Sequence, residues 1–278
     1  MNKAQQLITN ELCGIYTEQE LKSVSKLLLS HVTGLSFTGL ILNKNTTFSD
    51  NQWYDLKKLL DLLKTGMPVQ YVLGETEFCG LKLNVGKGVL IPRPETEELV
   101  EWALAELPPN ANVLDIGTGS GCIAVALKSM RPDCSVWAFD LSPEALSIAI
   151  ENARLNQTQV HFFQADVLKD TLPDQAWNLI ISNPPYIPRS ESSEMEVRVK
   201  EFEPELALFV PDGDPLLFYR VIAEKAYESL AQDGVLMFEI HRSFADKCVQ
   251  LITATGFQDV QVKKDLAGNE RMILARKI

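Results

Sequence analysis

Apolar residues recur at helical spacing through residues 1–65. Leu21, Val24, Leu27, Leu28 and Val32 form one stripe, and Trp53, Leu56, Leu59, Leu60 and Leu63 form another. Thr17 with Glu20, and Ser49 with Gln52, stand ahead of these stripes at capping-box spacing. Gly66 and Pro68 stop the second helix. The pattern predicts a small helical bundle over residues 1–67, with its stripes as the core or as a surface for a protein partner. Residues 68–91 read as a linker that carries a β-hairpin, with the turn at Cys79-Gly80. A helix follows from Pro94 to about Leu107, its first turn favoured by the proline and by the acids behind it.

From Asn112 the pattern changes to short apolar runs alternating with amphipathic stretches. Strands are expected at 112–116, 134–139, 159–164, 177–182 and 234–240, with a closing pair near 257–263 and 270–276. Helices fit 120–130, 142–155, 214–231 and 243–255. Such alternation implies an α/β domain over residues 92–278, built on a mainly parallel sheet with its ligands at the carboxyl ends of the strands.

Composition narrows the class. The net charge is −11, and residues 1–80 carry seven Lys/Arg against eight Asp/Glu, so the excess acid lies in the α/β part. That balance lacks the basic stripe of a protein that grips a nucleic-acid backbone. Cys13, Cys79, Cys122, Cys134 and Cys248 show no C-x-x-C spacing, and His31, His161 and His241 are scattered. Neither a disulfide framework nor a metal site is expected, and free thiols suit a reducing, cytoplasmic compartment. No signal peptide and no membrane span are expected.

Val113-Leu114-Asp115-Ile116-Gly117-Thr118-Gly119-Ser120-Gly121 reads as strand, Gly-rich turn and helix start. Its spacing, with an acid two residues before the first glycine, is neither a dinucleotide fingerprint nor a Walker loop. Asp140 ends the apolar run Ser135–Phe139, where a carboxylate can accept both hydroxyls of a ribose. Asp166 follows Val160–Phe163, where an acid can meet the exocyclic amine of an adenine, with Val167 and Leu168 covering the ring. Singly, each Asp also suits a helix cap or a surface acid. In succession, with no phosphate-binding Lys or Arg beside them, they point to an adenosyl ligand without phosphates, S-adenosylmethionine.

The run Trp177–Ile181 ends in Ser182-Asn183-Pro184-Pro185-Tyr186. Adjacent prolines with fixed φ and no N–H force a stiff exit from the sheet. The exit offers the Asn183 amide, the Pro184 carbonyl and the Tyr186 ring to a planar amide-like or amino-aromatic nitrogen. The two oxygens can accept N–H bonds and the ring can stack.

In their order, the glycine loop, Asp140, Asp166 and Asn183-Pro184-Pro185-Tyr186 resemble the class I methyltransferases that act on a planar amino nitrogen. The runs Pro68–Gly74, Ile91–Glu97 and Asp212-Gly213 with Phe218-Tyr219-Arg220 are similar to those of the HemK/PrmC-type release factor glutamine methyltransferases. The resemblance covers essentially the whole chain and weakens at His241-Arg242, where the family is usually Gly-rich. It implies a Rossmann-like seven-stranded sheet, with Gly117, Thr118, Gly119, Ser120 and Gly121 cradling the methionine part of S-adenosylmethionine. Asp140 would hold the ribose, and Asp166, Val167 and Leu168 the adenine. Asn183, Pro184, Pro185 and Tyr186 would hold the glutamine of the Gly-Gly-Gln motif in class I peptide chain release factors, with Asn183 also against the cofactor. The N-terminal bundle would help to recognise that partner, and neither nucleic acid nor membrane is expected as one. The rival readings are an adenine-N6 methyltransferase of DNA or RNA, which can use the same tetrapeptide, and a binding module that keeps the fold without catalysis.

Overall fold

A computed structural model describes residues 1–43 and 45–278. The chain divides into two units, residues 1–75 with 196–202, and residues 76–195 with 203–278. In the first lie α1 (Asn2–Leu12), α2 (Glu18–Thr33), α3 (Phe37–Leu42), α4 (Asp50–Lys64) and α5 (Val69–Leu73). Both expected capping boxes are formed, Thr17 with Glu20 at α2 and Ser49 with Gln52 at α4. The α4 stripe Leu56, Leu59, Leu60 and Leu63 is buried against Ile8, Leu12, Val24 and Leu28. The expected linker does not stand apart, because residues 68–75 go with the helices and residues 76–91 with the sheet unit. Pro68–Gly74 also forms the short helix α5, which periodicity over so few residues does not reveal.

The second unit opens with the hairpin β1 (Glu75–Phe78) and β2 (Leu81–Asn84), turned at Cys79-Gly80 as expected. Then come α6 (Pro94–Glu106), β3 (Asn112–Ile116), α7 (Cys122–Met130), β4 (Ser135–Asp140), α8 (Pro143–Leu155), β5 (Val160–Gln164) and β6 (Trp177–Ser182). Beyond the tetrapeptide run β7 (Ile187–Pro188), α9 (Val197–Phe202), α10 (Glu205–Leu208) and β8 (Phe209–Val210). The unit closes with α11 (Leu217–Ser229), β9 (Leu230–Glu239), α12 (Ala245–Thr255), β10 (Gln258–Lys264) and β11 (Glu270–Arg276). Helix α9 is the part that belongs with the first unit. There Arg198 donates to the Ile15 carbonyl at 2.6 Å and lies over the Tyr16 ring.

The seven-stranded sheet has the order β10-β11-β9-β6-β3-β4-β5. Strands β5, β4, β3, β6 and β9 are parallel, and β11 and β10 pair antiparallel. Alternate residues of the central strands feed two cores. Val113, Leu179, Ile181 and Met237 pack on the side of α6 and α7, and Leu114, Ile180, Leu236 and Phe238 on the side of α11 and α12. The chain steps outward from β3 to β4 and β5 and then crosses back to β6 on the other side of β3, so the strand order reverses there and a crevice opens at the carboxyl ends of β3, β4 and β6. Among the described residues, no helix is long and apolar enough to cross a membrane.

Candidate active site

The crevice is a cavity of about 470 Å³. It is lined by residues 117–120, Asp140, residues 166–168 and residues 183–185. The structure therefore gathers most of the expected site residues around one space. Two of them, Gly121 and Tyr186, lie outside its lining.

The loop after β3 is held from β4, since Gly117 and Thr118 both donate their N–H to the Phe139 carbonyl, at 3.0 and 2.9 Å. Gly119 has φ +56°, and a Cβ there would meet only open space. The backbone can thus come close to a ligand at a conformation that other residues resist. Gly121, at the N-cap of α7, has φ +79°, and its Cβ would stand 3.0 Å from that of Ala149 on α8. Its constraint is helix packing, which the sequence spacing could not separate from ligand contact. Asn152 of α8, buried and absent from the expected site, donates to the Ser120 and Asn84 carbonyls, both at 2.9 Å, and ties the loop to β2.

Asp140 Oδ2 accepts from Gly119 N at 2.8 Å and Oδ1 from Ser142 N at 2.9 Å. The carboxylate is held by two backbone amides, one on each oxygen, and each oxygen keeps acceptor capacity for a hydroxyl. Burial pushes its pKa up and the amide donors oppose that. Asp166 is held by Leu168 N at 2.9 Å and by Lys169 at 2.8 Å, and Lys169 keeps its carboxyl below the ordinary range. Lys225 of α11 donates to the Val167 carbonyl at 2.7 Å, fixing the adjoining turn.

Asp115, under the loop, is fully buried and accepts from Thr118 Oγ1 at 2.6 Å, while Oδ1 has no hydrogen-bond partner among the described residues. Burial pushes its pKa from 3.8 up to about 7. A raised carboxyl pKa contributes stability while protonated, and this is lost as pH rises through the folded-state value. The thermal midpoint of Asp115→Asn is therefore expected to gain on that of the wild type between about pH 4 and about pH 7, and then run level. Parallel curves across that window would show a carboxylate ionised throughout.

The tetrapeptide leaves a fully buried strand end, where Ser182 Oγ donates to the Ile116 carbonyl at 2.7 Å. Asn183 Nδ2 donates to Thr96 Oγ1 at 3.3 Å, and Thr96 donates to Glu239 Oε2 at 2.6 Å. Tyr186 donates its hydroxyl to Glu239 Oε1 at 3.0 Å and sets its ring edge-on to His241. The ring is thus engaged behind the turn instead of stacking over the cavity. Burial pushes the Glu239 pKa up, and the Thr96 and Tyr186 hydroxyls with the Arg271 guanidinium pull it back. His241, where the resemblance weakens, meets Glu191 Oε2 at 3.2 Å and so ties the segment after the tetrapeptide to the end of β9. Thr96 and Glu239 escaped the sequence reading as site residues. The available signal was a polar residue on the inner side of an amphipathic helix and an acid ending an apolar strand.

The cavity suits an adenosyl ligand that carries no phosphates. Among the described residues Arg93 is the one Lys or Arg in its lining, and it donates to Glu203 Oε1 at 2.6 Å. Glu203 is 4 % exposed and also accepts from Ile91 N, so the Arg93 guanidinium is already engaged by a buried carboxylate.

Residues 3–74 match the PrmC N-terminal domain family, and residues 95–202 match the Methyltransferase small domain family. The chain is 41 % identical to a release factor glutamine methyltransferase of Bacteroides thetaiotaomicron over 100 % of both chains. It is 37 % identical to that of Escherichia coli over 91 % of each. Among solved structures it is similar to a protein-(glutamine-N5) methyltransferase (release factor-specific) of Alicyclobacillus acidocaldarius. That likeness has 32 % identity and a TM-score of 0.43, covering 67 % of this chain and 94 % of that one. A methyltransferase of Pyrococcus furiosus shares the fold, with a TM-score of 0.54 at 16 % identity over 82 % of this chain and 99 % of the other.

Proposed function

The chain belongs to the release factor glutamine methyltransferases, and from that premise we propose that it methylates N5 of the glutamine in the Gly-Gly-Gln motif of class I peptide chain release factors. The observation that carries the reading is that the Asn183-Pro184-Pro185 turn and the Asp140-anchored glycine loop line one cavity. S-adenosylmethionine is the cofactor, and it supplies an electrophilic methyl group on a sulfonium that leaves as a neutral thioether. Residues 117–120 and Asp140 would hold it, with residues 166–168 around its adenine.

An amide nitrogen is a poor nucleophile because its lone pair is shared with the carbonyl. Asn183 Oδ1 and the Pro184 carbonyl accept the two N–H groups of the glutamine amide and so fix its plane. The lone pair then points out of that plane, towards the cofactor side of the cavity. Holding the reacting atoms at near-attack distance supplies about 7–11 kcal/mol of a barrier in favourable cases. The N-methylated amide cation is a very strong acid and loses its proton to water or a nearby carbonyl, so the site needs no strong base.

Mass spectrometry of a release factor after reaction is expected to show one added methyl on that glutamine, and none once the glutamine is replaced. Labelling of DNA adenine with the release factor untouched would overturn the acceptor while leaving the fold and cofactor in place. The helical unit serves recognition of the intact partner, and the work is cytoplasmic, where release factors meet the ribosome. A fragment lacking residues 1–75 is expected to keep its cofactor affinity and to methylate the intact release factor about tenfold more slowly. Full-rate methylation by the fragment would remove the recognition role, and a fragment that does not fold would remove the proposed division of labour.

A further inference from the structure

The hydrogen-bond chain behind the turn has a direction. Thr96 has one hydroxyl proton, and it goes to Glu239 Oε2 at 2.6 Å. Towards Asn183 the Thr96 oxygen is left as an acceptor, and it takes Nδ2 at 3.3 Å. Both oxygens of Glu239 accept, the second from Tyr186, which is the pattern of a carboxylate. Glu239 is 1 % exposed, so bulk water does not compete for these bonds.

We propose that Glu239, acting through Thr96, is the positioning residue that decides which end of the Asn183 amide faces the cavity. The inference rests on the acceptor role given above to Asn183 Oδ1. The two ends of an asparagine amide are nearly identical in shape and opposite in chemistry. With Oδ1 inward, the amide receives an N–H of the substrate glutamine. Turned over, it presents N–H against N–H and rejects that pose.

The charge at position 239 keeps the order from reversing. A donor there gives its proton to Thr96 Oγ1, Thr96 then donates to Asn183 Oδ1, and Nδ2 turns towards the cavity. The same carboxylate holds Tyr186, so both ends of the tetrapeptide are set against one buried charge. The three residues come from separate elements, the start of α6, the end of β6 and the end of β9.

The test uses full-length Thr96→Ser, Thr96→Val and Glu239→Gln proteins with recombinant release factor and radiolabelled S-adenosylmethionine. Cofactor affinity is measured separately by calorimetry. Thr96→Ser keeps the hydroxyl and is expected to stay within about threefold of the wild-type kcat. Thr96→Val and Glu239→Gln are expected to lose about tenfold to a hundredfold in kcat with cofactor affinity held within about threefold. In single turnovers, adding Thr96→Val to Asn183→Ala is expected to slow transfer no further, because the amide it positions is gone.

The inference fails if Thr96→Val keeps the wild-type kcat, or if its loss multiplies with that of Asn183→Ala. It also fails if Thr96→Val and Glu239→Gln both lose cofactor affinity, the mark of a structural role. A wild-type enzyme that leaves the release factor unlabelled would instead sink the proposed function on which the inference rests.

Discussion

Replacing Asn183 by Ala is expected to lower kcat on the release factor by about 10²–10³-fold while cofactor affinity changes by no more than a few-fold. The side chain sits at the exit of a central strand whose end is fully buried, at Ile180, Ile181 and Ser182. Its Nδ2 is already tied to Thr96, so Oδ1 is presented without being free to search. A polar group fixed in advance at the reacting centre costs no reorganisation during the reaction, and the loss of such a group is felt in the chemical step. The Pro184 carbonyl remains in the variant, so the glutamine can still enter with one N–H held and its plane undefined. The loss therefore falls on kcat more than on KM for the release factor. Steady-state kinetics with saturating cofactor check this, and an Asn183→Ala protein with wild-type kcat would remove Asn183 from the reaction.

The second large effect is expected at Asp140, with the opposite signature. Asp140→Ala should weaken S-adenosylmethionine binding by about tenfold to a hundredfold, since a hydrogen bond to a charged group contributes about 1.5–3 kcal/mol. Two losses combine there. The carboxylate would hold the ribose directly, and it also fixes the loop by accepting from Gly119 N. Asp140 lies on the cofactor side, away from the turn that would hold the acceptor. The rate at saturating cofactor should accordingly fall much less than the affinity, and calorimetry without release factor isolates the binding term. Unchanged affinity would exclude Asp140 from the cofactor site.

Much of this arrangement was legible in the sequence because it follows strong local patterns. The parallel strands are mostly apolar runs, and the structure forms four of the five at 112–116, 135–140, 160–164 and 177–182, within a residue of expectation, while β9 begins at Leu230, ahead of the expected 234. Proline and glycine marked the turn at Cys79-Gly80, the start of α6 at Pro94 and the exit at Pro184. The region after the exit was not legible, because β7, α9, α10 and β8 are too short to show a period. That Arg198 belongs with Tyr16 and Ile15 is a long-range fact with no local trace. Tyr186 illustrates the same limit. Its sequence position suggested a stacking face, and only the distant Glu239 shows that its hydroxyl is held behind the turn. Gly121 was read with its neighbours as ligand-facing because spacing alone does not distinguish a close-packed helix from a bound molecule.

The bonds behind the turn join residues 87 and 143 positions apart, Asn183 to Thr96 and Thr96 to Glu239. Contacts of such sequence separation form only after long segments have been brought together, and that loop closure is paid in chain entropy. The order of synthesis then gives the two halves of the site different ages. A chain emerging from the ribosome delivers the glycine loop, Asp140, Asp166 and Asn183 well before β9 exists. At that moment the cofactor-side residues are all present, yet Thr96 and Tyr186 have no carboxylate to bind. The acceptor half matures last, when Glu239 arrives with β9 and the sheet closes over it.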